Sequence, residues 1–431
     1  MTVEPHGLPR EHLLALGRGG GGREVIESLV AAQHSRNLTL LRGVWRAAQA
    51  ANGDDARLAG AGYDLLAVAQ RDDPDAASAI IRYPSVGAWA LHTLRGDRSL
   101  PTARPGGLAA VAAAAAIRAG LTAEIEVPVT DGRAVLPSLG AAEAEGATAV
   151  VRTLPAEVHS AGGRVAVLPG SPGWQELRRI RAGELDVLVD DLDPFRMPAS
   201  DGEPAGRLTD SQIAELEATL QAAWNVLGPA SAAEIAALVR VIVPYQAPEG
   251  GYVSTSSPET FGTVAMSRHP DRYACAEVLV HEAQHLKLCA LLDLVRLTFP
   301  DDGQRYYAPW RDDPRPASAL LQGAYAFFGV SGFWRQQRQT APDPAVRQRA
   351  EAEFARWSDG SALAAETLLG SGQLTPDGQD FTAEMARVLR TWRQEPVSAG
   401  ARAVARRKAD LHQARWRANN DGPAEPRPGR G

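Results

Sequence analysis

The stretch "AEVLVHEAQHLKLCALLDLVRL", residues 276–297, decides how this chain is read. It is long, largely apolar and free of glycine and proline, so it predicts one continuous buried helix. Within it lies His281-Glu282-Ala283-Gln284-His285. A helix advances 100° per residue, which puts His281 and His285 on one face, one turn apart, where both imidazoles can reach a single ion. Ala274, Val278, Leu288 and Leu292 lie near that stripe, so the pair faces the interior. The plainer alternative is two histidines tied up by core hydrogen bonds, since a buried ring nitrogen must find a partner. A zinc peptidase would use this pattern with Glu282 as the base for metal-bound water and a third ligand from elsewhere. That ligand is hard to find. Positions 288 and 291, where one peptidase class carries glycine and histidine, hold Leu288 and Leu291. No glutamate occurs between Glu282 and Glu351, and Asp293 lies more than two turns beyond His285.

Around this helix the chain is ordinary in composition. Its 431 residues are 45% hydrophobic and 22% charged, with a formal net charge of -6, which is the profile of a globular protein and does not suggest a nucleic-acid partner. No run of eighteen apolar residues predicts a membrane span. The alanine-rich "GGLAAVAAAAAIRAG" is read as a buried helix. The segment after Met1 lacks the apolar core of a secretory signal. Cys275 and Cys289 fall fourteen residues apart on one helix, about 21 Å, and cannot pair with each other. Core thiols of this kind lead to the expectation of a cytoplasmic protein.

The expected fold class is α+β. Residues 1–105 read as a helical N-terminal region, 106–205 as β-rich, 206–340 as a metal-binding catalytic core, 341–417 as C-terminal helices and 418–431 as a disordered tail. The middle carries short alternating runs broken by Gly, Pro and Asp, such as "TAEIEVPVTDGRAVLPSLG" and "ELDVLVDDLDPF". Thr209 and Asp210 are placed to start the helix through "IAELEATLQAAWNVLG". "RVIVPYQ" reads as a strand, and "GGYVSTSSPETFGTVAMSR" as two strands joined at Pro258.

Several ordered segments carry a wider resemblance: "AAQHSRNLTLLRGVW", "LDVLVDDLDPFR", "STSSPETFGTVAMS", "AEVLVHEAQHLKLCALLDL" and "YYAPWRDDPRPASALLQGAYAFFGVSGFWR". In these the chain resembles the HExxH-motif peptide-modification proteins of biosynthetic clusters for ribosomal peptide natural products, over most of residues 12–340. The resemblance implies an iron(II)- and 2-oxoglutarate-dependent dioxygenase that hydroxylates a β-carbon in a ribosomal precursor peptide, on a fold that is not a cupin barrel.

Under that reading His281 and His285 supply two of three protein ligands to iron. Glu282 then orients a ligand or contacts substrate. Arg311 and Arg315, in the proline-stiffened loop "PWRDDPRP", are candidates to fork the far carboxylate of 2-oxoglutarate, unless they pair with Asp312 or Asp313. Where the family pattern often has histidine as the natural third ligand, this chain has Gln322. Three outcomes stay open: Gln322 ligates through its amide oxygen; water, His269 or a nearby Asp completes the site; or the metal site is weakened. Ser254 and Ser256, on an edge strand, and Trp310 are the candidate peptide contacts. Asp190, Asp191 and Asp193 are read as a solvated turn or as structural pairs to arginine rather than a second metal site. The rivals are a zinc metallopeptidase acting on a peptide and a peptide-binding scaffold with a degenerate metal site.

Overall fold

The structure is a computed structural model that describes residues 7–51, 53–97, 99–100, 102–197, 202–269 and 271–420. Thirteen α-helices and twelve strands occur among the described residues, in three open sheets, none of them closed into a barrel. The expected α+β class, with helical ends and a β-rich middle, holds. Most of the expected tail, from residue 421 on, lies outside the described residues. The chain divides into two compact units, and the division falls inside three of its helices.

One unit comprises residues 27–225 and 235–275. Helices α3 (Asp54–Asp72), α4 (Pro74–Ile81) and α6 (Gly107–Arg118) pack together in it, and α5 (Pro84–Arg95) lies between the last two in sequence. The alanine-rich run forms α6 because alanine is the strongest helix former and its small side chain lets neighbours approach. Leu108 to Ala116 are all buried there. Antiparallel hairpins follow. Strands β1 (Glu124–Pro128), β4 (Thr148–Thr153), β5 (Ala156–Ser160) and β6 (Gly163–Ala166) make one sheet, and β2 (Arg133–Leu136), β3 (Gly140–Glu143) and β7 (Trp174–Glu176) another.

The third sheet is mixed. Its order is β11 (Ser254–Thr255), β12 (Thr263–Met266), β10 (Val241–Pro244), β9 (Leu185–Val189), β8 (Arg178–Ala182), with β9, β10 and β12 parallel. All four residues of β10 and of β12 are buried, as central parallel strands require. Between β9 and β10 run α7 (Asp210–Trp224) and α8 (Pro229–Leu238). Helix α7 starts where expected: Thr209 and Gln212 form a reciprocal capping box. Helix α8 was not expected from the sequence.

The other unit groups residues 1–26, 226–234 and 276–431. Helix α1 (Arg10–Gly17) packs on α12 (Pro376–Trp392), and α11 (Pro344–Gly370) packs on α10 (Ala317–Thr340), α12 and α13 (Ala399–Asn420). Asp343 caps α11 by accepting from the Ala345 amide at 2.8 Å. Helix α10 buries Leu320, Leu321, Tyr325, Phe328, Phe333 and Trp334, each worth roughly 1.5–3 kcal/mol of transfer free energy for a large apolar side chain. From Ala276 onward, helix α9 (Arg272–Leu292) belongs to this unit and carries the histidine pair.

Candidate metal centre

Helix α9 runs unbroken through the motif, as expected. Every fourth residue along it, Glu277, His281, His285 and Cys289, is half-buried, while Glu282, Ala283, Gln284 and Lys287 beside them are buried. The histidines therefore sit on a polar stripe with some access to solvent. His281 Nε2 lies 3.1 Å from His285 Nε2. That is the separation of two donors bound side by side to one ion at about 2.1 Å each. It also suits one N–H donating to the other ring. Burial, aided by His285, holds His281 far below the ordinary imidazole range, so its ring is neutral, the form that ligates metals.

Gln322, on α10, meets the opposite side of His285. Its Oε1 is 3.2 Å from Nδ1, so Nδ1–H donates to the amide oxygen and the Nε2 lone pair is left facing His281. The Gln322 amide nitrogen lies 3.9 Å from the Cys289 sulfur. In this arrangement Gln322 orients a histidine; it does not approach the Nε2 edge where a third ligand belongs. The reason lies in the facing of the helices: α10 presents Gln322 to the outer flank of the His285 ring. His269 belongs to the other unit, where its Nδ1 is 2.8 Å from the Ser267 carbonyl and its ring packs on Tyr252. Among the described residues no group of three His, Cys, Asp or Glu gathers as a metal cage. Burial pushes the Cys289 thiol up to about 12, so without a metal it is protonated near neutral pH. Burial, with Glu353 adding to it, raises Glu277 to about 7. Glu282 is 2% exposed, and its charge is felt at Cys289.

An aromatic wall stands beside the pair. The Phe327 ring is 4.9 Å from that of His281, and it packs between Trp310 at 5.0 Å and Trp357 at 4.2 Å. Trp310 lies flat against Gly323, where any Cβ would collide with the indole. Trp310 was expected from its loop. Phe327 and Trp357 were not, because nothing in helical spacing distinguishes them from core.

The arginine expectation fares differently. Arg311 Nε and Arg315 Nη1 each donate to Asp313 at 2.8 Å, one to each carboxylate oxygen. The two guanidiniums hold Asp313 down at about 2. Asp313 thus occupies the fork assigned to 2-oxoglutarate, because it sits two residues from both arginines in a loop stiffened by proline.

Ser254 lies in β11, an edge strand as expected, but it and Ser256 belong to the unit that does not hold His281 and His285. The aspartates of "DDLD" are structural partners. Asp191 is bonded by Arg178 and Arg207, Asp190 accepts from the Tyr83 hydroxyl at 2.6 Å and Asp193 from the Ser85 hydroxyl at 2.6 Å. No helix among the described residues is long and apolar enough to cross a membrane. No protein-family model matches the chain, and no curated protein matches it significantly.

Proposed function

We propose that the chain is a metal-dependent peptide-modifying enzyme, one that hydroxylates a side-chain β-carbon of a ribosomally made precursor peptide using iron(II) and 2-oxoglutarate. The observation that carries the metal part is the 3.1 Å approach of His281 Nε2 to His285 Nε2 on one helix face, with Nδ1 of His285 held by Gln322. The peptide and the oxygen chemistry rest on the resemblance of the ordered motifs.

The residues fit a metal in part. His281 and His285 would hold it, each through Nε2, and the metal when bound would supply dioxygen activation. Gln322 fixes the His285 tautomer, as an acceptor on the far nitrogen of a ligating histidine does. Phe327, backed by Trp310 and Trp357, limits water at the His281 side and offers an apolar surface to a substrate side chain. Glu282 lies three residues from His285, close enough in the helix to orient a ligand. Arg311 and Arg315 are paired with Asp313 in a largely exposed loop, so 2-oxoglutarate would have to displace that carboxylate to be held by them. A second reading, a peptide-binding scaffold with a degenerate site, is favoured by the missing third His, Cys, Asp or Glu among the described residues.

The test needs no knowledge of the peptide. Metal-free protein is mixed with iron(II) and 2-oxoglutarate without oxygen, and the visible spectrum is recorded. A weak charge-transfer band that requires both additions and disappears in His281→Ala supports the oxygenase. No band, in protein that holds one zinc tightly, moves the assignment to a zinc peptidase. Failure to hold either metal leaves the scaffold.

A further inference from the structure

A second polar site lies wholly within the unit that carries the three sheets. A cavity of about 210 Å³ is lined by Arg82, Arg118, Arg179, Arg240 and Ser138, with Asp186 the one carboxylate. Arg82 and Arg240 also line a smaller adjoining cavity of about 20 Å³ that reaches His34. Asp186 is already committed, to Arg179 at 2.7 Å and to Arg181 at 3.4 Å. Among the described residues Arg82, Arg118 and Arg240 have no carboxylate partner, and Arg82 donates to the Ser78 carbonyl at 3.3 Å. Among the described residues, neither the hydroxyl of Ser138, which is 8% exposed, nor His34 Nε2 has a hydrogen-bond partner. Burial, and after it the nearby charge of Arg82, lowers the basicity of both Arg240 and His34.

Part of this charge has a structural cause. Arg118 is the last residue of α6, Arg82 follows α4, and Arg240 stands two residues beyond α8. Helix C-termini attract cations, but each carries only about half a negative charge. Arg118 and Arg240 are exposed and Arg82 is half-buried, so water shares with the three helix ends in offsetting the guanidinium charges, and what remains is a surface-open basic cleft. A buried hydroxyl with no partner is left waiting for an acceptor or donor.

We propose that this cavity is an oxyanion site for a phosphate-bearing small molecule, bound by Arg82, Arg118 and Arg240 with Ser138 donating its hydroxyl. Arginine presents planar paired donors that match phosphate oxygens, and a dianion would neutralise the excess charge. The space exceeds that of several waters at about 30 Å³ each, so the phosphate can carry an organic group. The site is independent of His281 and His285.

The test is calorimetric titration of the full chain with inorganic phosphate and with pyrophosphate at low ionic strength, since screening sets in within about 10 Å at 0.1 M salt. The proposal expects saturable one-site binding, tighter for pyrophosphate, that chloride does not reproduce. Arg118→Ala and Arg240→Ala should each weaken it at least tenfold and keep the melting temperature within about 2 °C of wild type. Absence of saturable binding would overturn the proposal. So would unchanged affinity in both variants, or variants that lose stability while binding phosphate as wild type, because the arginines would then be helix caps and nothing more.

Discussion

Replacing Gln322 with leucine separates an orienting residue from a ligand. The amide oxygen accepts from His285 Nδ1 at 3.2 Å, on the side of the ring away from His281. Leucine conserves most of the volume and removes the acceptor. A neutral hydrogen bond of this kind contributes about 1 kcal/mol net, and orphaning a buried N–H costs about 1–3 kcal/mol. The His285 ring then gains freedom to rotate or to change tautomer, and Nε2 is no longer reliably a lone-pair donor opposite His281. Loss of such a partner typically costs 10- to 100-fold in metal affinity, about 1.4–2.7 kcal/mol. Zinc affinity would be measured by competition with a chromophoric chelator for wild type, Gln322→Leu and His285→Ala. The expected order is wild type, then Gln322→Leu weaker by one to two decades, then His285→Ala with no competitive binding. Two results refute the reasoning: Gln322→Leu binding as wild type, which removes the orienting role, or Gln322→Leu failing as completely as His285→Ala, which makes Gln322 a ligand.

Other expectations follow from buried groups elsewhere. Lys287→Met should lower unfolding free energy in urea by about 3 kcal/mol, because it leaves the half-buried Glu234 carboxylate without its ion-pair partner; a loss under about 1 kcal/mol would count against it. Gly323→Ala should push Trp310 off α10 and red-shift the tryptophan fluorescence while leaving zinc affinity within a few-fold; an unchanged spectrum would show that the indole is not held there. Burial and the neighbouring Asp190 charge push Asp193 up to about 7, above the 3.8 of an ordinary carboxyl. With the folded value above the unfolded one, the contribution is full below pH about 4 and is lost as pH rises through about 7. Melting temperature between pH 5 and 8 should therefore fall more steeply for wild type than for Asp193→Asn, and parallel curves would contradict the assignment.

The elements that a reader of the sequence can place are those with local signals. Thr209 and Gln212 announce α7 by their spacing, and the alanine run of α6 has no competing conformation. The parallel arrangement of β9, β10 and β12 is invisible, because "VIVP" and "TVAM" record burial but neither direction nor partner. Nor does the sequence reveal that residues 1–26 group with residues 276–431, since contacts across such separations leave no periodic trace. At the candidate site, His281 and His285 are legible from helical spacing. The role of Gln322 is not, because it turns on which edge of His285 the next helix meets. The pairing of Arg311 and Arg315 with Asp313 was legible in principle: a carboxylate two residues from each arginine is the nearest partner available.

Lys287 has a consequence for how the protein can be trimmed. Its ammonium group, almost fully buried, reaches the Glu234 carboxylate at 2.7 Å and the Gly19 carbonyl at 3.0 Å. Gly19 takes a positive φ of 87°, and a side chain there would strike Phe328. The glycine-rich turn before α2 (Gly22–Ala51) is thus soldered to the same helix that carries the histidines. Proteolytic clipping or deliberate shortening ahead of Gly22 would take away a carbonyl that shares an interior positive charge. A shortened protein that binds metal poorly would then be reporting a damaged helix α9, not a ligand lost with the removed residues.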